Sequence, residues 1–427
     1  MTVDPRVKTS SALVDHYLSV RSQSLNICAP LELEDYQIQP MADASPPKWH
    51  LAHVTWFFET FLLKPFSLNY RVFDSSFEGL FNSYYNGVGQ PLNRARRGLL
   101  SRPTLSRVLK YRQYVDEHML RLMENLDTEE LRFRVQLGLN HEQQHQELIV
   151  TDIKYNLGNN PLKPNYLNHE LKTSPKPLAN WIEFDGGLFE FGEDSGKGFV
   201  FDNETPKHQG FLQPFKLSTN LVSNGQFFEF IEDGGYERPN LWLSDGWAYL
   251  ESLQMQRWHA PLYWRKEDDS FFEYCLTGER LVDLNSPVCH VSAFEADAYA
   301  RWAGARLPTE REWEHAAMGV PVAGNFLESG QFHPVTHGGE GIQSQFGNVW
   351  EWTQSAYAAY PGFKSFDGAL GEYNGKFMSN QLVLRGGSCA SPSLHIRPTY
   401  RNFFYPLDRW QFSGIRLARD LTPKKIL

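Results

Sequence analysis

His141 and His145 stand four residues apart in NHEQQHQELIV, residues 140–150. On an α-helix that spacing puts both imidazoles on one face, their Cβ atoms roughly 5–6 Å apart, so the pair can share a metal ion. The stretch also contains H-E-x-x-H, in which zinc peptidases use the two histidines as ligands and the glutamate as general base. A second pair, His50 and His53, stands three apart in WHLAHVTWFFE, beside Trp49, Trp56 and Phe57. A histidine on an apolar helix face is more often a satisfied core residue, and a pair at helical spacing can be two surface histidines. Two such stretches in one helical region offer three imidazoles to one ion and leave positions open for substrates. The peptidase reading needs a further ligand after His145. The continuation H-x-x-G-x-x-H is absent, and Glu170 lies beyond the break at Gly158–Pro161, next to a linker. Metal chemistry other than peptide hydrolysis is expected.

The elements that must position these histidines read as helices over the first 160 or so residues. Ser10 and Ser11 can cap a stretch with Leu13, Tyr17 and Val20 at helical spacing. SPPKWHLAHVTWFFETFLLKP opens on a capping Ser45 with prolines in the first turn and stops at Pro65. A third helix follows Ser101-Arg102-Pro103 and runs to about Asn125, with Leu105, Leu109, Val115, Met119 and Leu122 inward. A fourth opens at Asp127-Thr-Glu-Glu130 and ends near Gly158. Four such helices predict a four-helix bundle, a fold in which facing helices build metal sites. LKTSPKPLAN, 171–180, reads as a linker. Beyond it, short apolar runs and Gly-aromatic pairs predict short strands, turns and irregular structure, with helices at Ala293–Trp302 and Thr309–Met318.

The bulk properties fit a soluble chain of two or three domains. It has 427 residues, 41% hydrophobic and 21% charged, with a formal net charge of −9. That balance argues against nucleic acid or a membrane surface as partner. Cys28, Cys275, Cys289 and Cys389 are scattered without a C-x-x-C, which predicts reduced buried thiols. No secretory apolar segment opens the chain and no run is long enough to span a bilayer, so a cytoplasmic location is expected. A homo-oligomer is compatible with all of this.

Longer motifs carry a resemblance. The W-x-L-A-H and H-x-x-x-H-x-E helices resemble DinB-like bundles. SPVCHVSAFEADAYARWAGARLPTEREWEHAA, GNVWEW at 347–352, LRGGSC and RNFFYPLDRWQFSGIRLARD resemble the formylglycine-generating-enzyme fold, a variant of the C-type lectin fold. The two in this order are similar to the iron-dependent sulfoxide synthases of ergothioneine biosynthesis. The implied fold is an α+β multidomain chain. A DinB-like bundle over 1–170 carries the iron site, a linker spans 171–180, and a formylglycine-generating-enzyme-like domain spans 181–427.

By motif position the resemblance implies Fe(II) on His53, His141 and His145, with His50 outside the pattern. It implies O2 as co-substrate and a thiol joined to C2 of hercynine, the Nα-trimethylated histidine, as a sulfoxide. Three neutral imidazoles leave open iron positions, as in the facial triads of non-haem iron oxygenases. Gln144 would hydrogen-bond the substrate imidazole. Arg94 and Arg97, in the basic run NRARRGLLSR, would take the thiol substrate's carboxylate through guanidinium forks. Tyr85 or Tyr84 would donate a proton during oxygen reduction; some members place this tyrosine in the C-terminal half. Asn402, Phe403 and Phe404 would line the betaine pocket, since aromatic faces attract a quaternary amine. Members that use γ-glutamylcysteine carry R-N-W-D-Y-P where this chain has RNFFYP. The missing carboxylate points to free cysteine as the thiol. In the second domain the fold can bind a structural Ca²⁺ through carbonyls and Glu351. Formylglycine-generating enzymes need a cysteine pair near the C-terminus; here Cys389 stands alone. The rival readings are an ovothiol-type synthase coupling histidine at C5, a zinc hydrolase using HEQQH, and a non-catalytic binding scaffold.

Overall fold

The computed structural model describes residues 5–178, 180–194, 198–268 and 270–421, with side chains from residue 11. Two compact units emerge. One comprises 1–161 together with 366–373, and the other 162–365 with 374–427. The division falls at Pro161 rather than at the expected linker, and a short segment from the C-terminal half joins the helical unit.

Four long helices build the first unit: α1 Pro5–Cys28, α2 Pro47–Phe58, α3 Leu105–Asn125 and α4 Glu129–Gly158. Ser10 and Ser11 lie inside α1 instead of capping it. α3 and α4 start on capping threonines: Thr104 Oγ1 accepts from the Arg107 amide at 3.3 Å and Thr128 Oγ1 from the Leu131 amide at 3.2 Å. The inward stripe of α3 runs through Val108, Tyr111, Val115, Met119 and Leu122, whereas Leu109 faces solvent. After α2 the chain makes one wide turn, Glu59–Leu63, in which the Lys64 amide reaches back five residues to the Glu59 carbonyl. Pro65 lacks an amide hydrogen and would crowd a regular turn, and this wider turn lets the helical path continue to Phe66. α1 packs on α3 and α4, and so does α2. At Gly138 of α4 an added Cβ would sit 2.6 Å from the Phe58 ring, so glycine sets how closely α2 and α4 approach.

One ionic cluster pins the rotation of α4. Glu142 is fully buried and accepts from Arg21 Nη1 at 2.8 Å, from Ser24 Oγ at 2.6 Å and from Arg112 Nη2 at 2.5 Å. Arg21 also donates to Asp116 at 2.7 Å, so α1, α3 and α4 meet at one charged knot.

The second unit is built on short strands. A four-stranded sheet places Asn402–Phe404 at one edge, then Leu382–Arg385, Trp350–Ala356 and Ser413–Gly414. The helices Ala293–Trp302 and Glu310–Ala317 start at Ser292 and Thr309, each closing a capping box with a glutamate three residues on, Glu295 and Glu312. Beneath them Arg385 donates to Glu310 at 3.0 Å and Glu314 at 2.8 Å, and Arg401 donates to Glu310 at 2.9 Å. Gly386, next in LRGGSC, has φ +100°, and a Cβ there would meet the Gln345 carbonyl at 2.8 Å.

Burial alone would raise the Glu142 pKa, but Arg112 and Arg21 outweigh it and hold the carboxyl at about 2. Its stabilising contribution is therefore complete above its unfolded value and is lost as pH falls towards 2. Glu142→Ala strands two buried guanidiniums and should cost about 3–5 kcal/mol. Urea unfolding at neutral pH should show that loss, and the variant's acid-unfolding curve should be flatter below about pH 4.5. Wild-type stability in the variant would contradict the knot.

Candidate metal centre

α2 and α4 each bring imidazoles to one place. Pro47 pre-sets the first turn of α2, and the run from Pro47 to Phe58 is buried throughout. His53 and His141 approach through Nε2, 3.2 Å apart. The ligand atoms of His53, His141 and His145 all lie within 4.8 Å of one another. The outward nitrogens point elsewhere: His53 Nδ1 lies 2.6 Å from the Phe81 carbonyl, and His145 Nδ1 lies 2.8 Å from His50 Nδ1. Each of these rings thus keeps Nε2 for the shared space. Two imidazole nitrogens held about 2.1 Å from one divalent ion lie roughly 3.0–3.4 Å apart, so the observed spacing suits a common ion.

Burial keeps these rings neutral, as ligation requires. Desolvation pulls His53 and His145 well below the ordinary imidazole value and takes His141 to about 3. The rings also raise the cost of charging one another. Trp49 stacks on His53 with ring centres 4.6 Å apart and planes 11° apart, and Phe57 stacks on His141 at 4.4 Å. His145 retains some open surface.

Glu142 does not face this site, because the knot with Arg21 and Arg112 holds it on another side of α4. The general base that a zinc peptidase requires is thus committed elsewhere, and the third imidazole comes from α2 instead of a downstream residue.

Around the imidazoles the described residues supply polar and aromatic groups. Tyr373, in the segment that joins the helical unit, donates its hydroxyl to Gln144 Oε1, and its ring centre lies 5.7 Å from that of His141. Glu372 anchors the same segment by accepting from the Asn86 amide at 3.1 Å and the Gly87 amide at 2.7 Å. The loop NSYYNGVG closes around the buried Asn82, whose amide donates to the Tyr85 and Gly89 carbonyls at 2.9 and 3.0 Å. Tyr85 is fully buried and stacked on Tyr84 at 4.7 Å, with Trp56 and Phe61 as ring neighbours. Burial pushes its phenol well above the usual value, so it keeps its proton. Among these tyrosines, the ring beside His141 and Gln144 is that of Tyr373. It lies 229 residues from Gln144 in the chain, and no motif marks it.

The basic run separates into unlike residues. Arg97 is buried, its guanidinium 3.3 Å over the Trp49 ring, and it donates to Ser45 Oγ at 2.8 Å. Desolvation holds its pKa well below the ordinary arginine value. Arg94 is exposed and donates to the Asp43 carbonyl. In the second unit, Asn402, Phe403 and Phe404 form an edge strand; Phe403 stacks on Tyr357 at 4.0 Å and Phe404 packs edge-on against Trp410 at 6.0 Å. The Ca²⁺ expectation at Glu351 fails. Its carboxylate is fully buried and already engaged by Arg416, through Nε and Nη2 at 2.8 Å each, and by Trp313 Nε1 at 2.7 Å. A guanidinium fills the place of the cation. Glu273, Cys275 and His333 make a second compact group. There the thiol faces His333 Nδ1 at 3.6 Å and the carboxylate faces Nε2 at 3.7 Å, so the partners lie on opposite sides of the ring.

The model of the sulfatase-modifying factor enzyme 1-like domain matches residues 168–341 and 336–421, more than half of the chain. The chain belongs to this family. Ahead of the family domain, residues 16–149 match the DinB superfamily. Over both parts together the chain is similar to the hercynine oxygenase of Mycolicibacterium smegmatis, 29% identical across 96% of this chain and 99% of that protein. It is equally similar, at 29% with the same coverage, to the hercynine oxygenase of Mycobacterium tuberculosis. The formylglycine-generating enzyme of Streptomyces coelicolor is 29% identical over 50% of this chain and 80% of its own length. This family member therefore carries, in front of the shared domain, a helical unit with a three-imidazole cluster. Among the described residues no helix is long and apolar enough to cross a membrane.

If the cluster holds a divalent ion, replacing His53, His141 or His145 by alanine should reduce the metal retained after anaerobic reconstitution to a small fraction of the wild-type content. Glu170→Ala should leave metal content unchanged. Metal analysis of the folded variants measures both, and full loading of His53→Ala would refute a centre shared by α2 and α4.

Proposed function

We propose that the chain is an Fe(II)- and O2-dependent sulfoxide synthase that joins cysteine to C2 of hercynine, a step of ergothioneine biosynthesis. The convergence of three imidazoles from two helices, with Glu142 turned to a structural knot, carries this reading. Similarity to hercynine oxygenases over nearly the whole of both chains supports the substrate. The overall reaction balances without an external reductant: the thiol and the C2–H each give up a hydrogen, one oxygen atom leaves as water, and the other stays on sulfur.

His53, His141 and His145 would hold the iron. When bound, it would supply O2 activation and a common anchor for thiolate and imidazole. The protein's own groups do the positioning. Gln144 offers its amide beside the cluster to orient the substrate imidazole. Arg97, desolvated and held flat on Trp49, gains most from an anionic partner, and the exposed Arg94 extends the same positive edge towards the thiol substrate's carboxylate. The Tyr373 hydroxyl is fixed on Gln144, so it can deliver a proton at that point, with Tyr85 and Tyr84 as further phenols on the adjoining loop. The aromatic faces of Phe403 and Phe404 suit a trimethylammonium group, with Asn402 as its polar neighbour. No acidic residue stands at 403 or 404, which favours free cysteine over γ-glutamylcysteine.

Anaerobic loading with Fe(II), hercynine and cysteine, followed by O2 and mass spectrometry, should give hercynylcysteine sulfoxide. Preference for histidine over hercynine in competition would overturn the substrate. Tyr373→Phe should shift product from sulfoxide to cysteine sulfinate more strongly than Tyr85→Phe. The reverse order would move the proton-donor role to the Tyr84–Tyr85 loop.

A further inference from the structure

His50 lies between a carboxylate and a cluster histidine. Its Nε2 is 3.0 Å from Asp152 Oδ2 and its Nδ1 is 2.8 Å from His145 Nδ1. All three groups sit in the helical unit, and His50 and Asp152 are each 2% exposed. Asp152 is itself fixed, since Oδ2 accepts the Ser45 amide at 2.8 Å. The same Ser45 takes the Arg97 guanidinium on its hydroxyl at 2.8 Å.

The proton positions along this row follow from donor and acceptor rules. An ionised carboxylate only accepts, so His50 must donate to it from Nε2. A neutral imidazole carries one hydrogen, so His50 Nδ1 is then a lone pair. It must then accept from His145 Nδ1, which requires a hydrogen on that nitrogen. His145 in turn has its lone pair on Nε2, the nitrogen left for the shared space. The opposite tautomer of His145 would put two lone pairs 2.8 Å apart at the His50 contact. His50 is buried and His145 is largely covered, which makes that conflict costly.

We infer that Asp152 and His50 form a positioning relay that fixes the tautomer and ring orientation of His145, so that its Nε2 lone pair faces the metal. The inference rests on the metal reading above, and it adds residues that touch neither substrate nor ion. Outer partners of ligating histidines typically account for 10–100-fold in metal affinity. The link through Ser45 also ties the relay to Arg97, so the arginine proposed for the substrate carboxylate and a proposed metal ligand share one rigid frame.

Two readouts separate the relay from the metal reading. In the metal-free protein, ¹⁵N-histidine NMR, with His145 assigned by its loss in His145→Gln, should show His145 protonated on Nδ1. Asp152→Ala should convert that signal to a mixture of tautomers and weaken Co(II) binding 10–100-fold in anaerobic titration, with altered visible Co(II) bands. Asp152→Asn, whose carbonyl can accept the same proton, should recover part of both, and it carries the test if the alanine variant does not fold. His50→Gln should weaken Co(II) binding to a similar degree. A wild-type protein with this tautomer but no Co(II) or Fe(II) binding supports the relay and removes the metal reading. Unchanged His145 tautomer and Co(II) affinity within twofold of wild type in a folded Asp152 variant overturns the relay.

Discussion

Everything at the candidate centre depends on holding three imidazoles neutral and close together in a largely buried space. Each ring would prefer to be solvated, and any proton gained there is repelled by its neighbours. The structure resolves this by occupying the second nitrogen of two rings with fixed partners, the Phe81 carbonyl for His53 and His50 for His145. Aromatic faces fill the rest, with Trp49 flat on His53 and Phe57 on His141. What remains available is a set of nitrogens aimed at one another, an arrangement whose cost falls when a cation enters between them.

The rotation of α4 is what makes this possible. Successive helical residues point about 100° apart, so the orientation of Glu142 dictates that of His141. The buried knot with Arg21, Arg112 and Ser24 leaves Glu142 no other place, and His141 and His145 are turned towards α2 as a result. Gly138, one turn earlier, lets the Phe58 ring lie against the backbone and brings the two helices close. A sequence motif that reads as ligand–base–ligand thus divides between two faces: the imidazole cluster on one, helix registration on the other. This is why H-E-x-x-H misleads here.

The sequence makes the bundle legible because its signals are local. Asp127-Thr-Glu-Glu130 and the prolines of SPPKW mark helix starts, and the spacing within NHEQQHQ puts two imidazoles on one face. The helices expected over Ala293–Trp302 and Thr309–Met318 are found at Ala293–Trp302 and Glu310–Ala317. What was not legible depended on partners far along the chain. Leu109 has the right spacing for the core yet faces water, since the stripe is set by where α1 and α2 lie. Glu351 looks like an oxygen ligand until Arg416, 65 residues on, reaches both its oxygens. Tyr373 carries no local mark, because its place beside Gln144 follows from how segment 366–373 is anchored by Glu372 on the Asn86–Gly87 turn.

His50 and His53 show the limit most sharply. They are three apart on one helix, equally buried among aromatics, and nothing in their spacing distinguishes ligand from support. The difference lies in what each second nitrogen meets. A carbonyl oxygen accepts a hydrogen from His53 Nδ1 and so leaves Nε2 free to bind. His50 is held at both nitrogens, by Asp152 and by His145, and has nothing left to offer an ion. In the Cys275–His333–Glu273 group the thiol and the carboxylate face opposite nitrogens of the imidazole, at 3.6 and 3.7 Å. For His53 and His145 the fold engages one nitrogen and leaves the other for the cluster, an asymmetry that spacing along the helix does not encode.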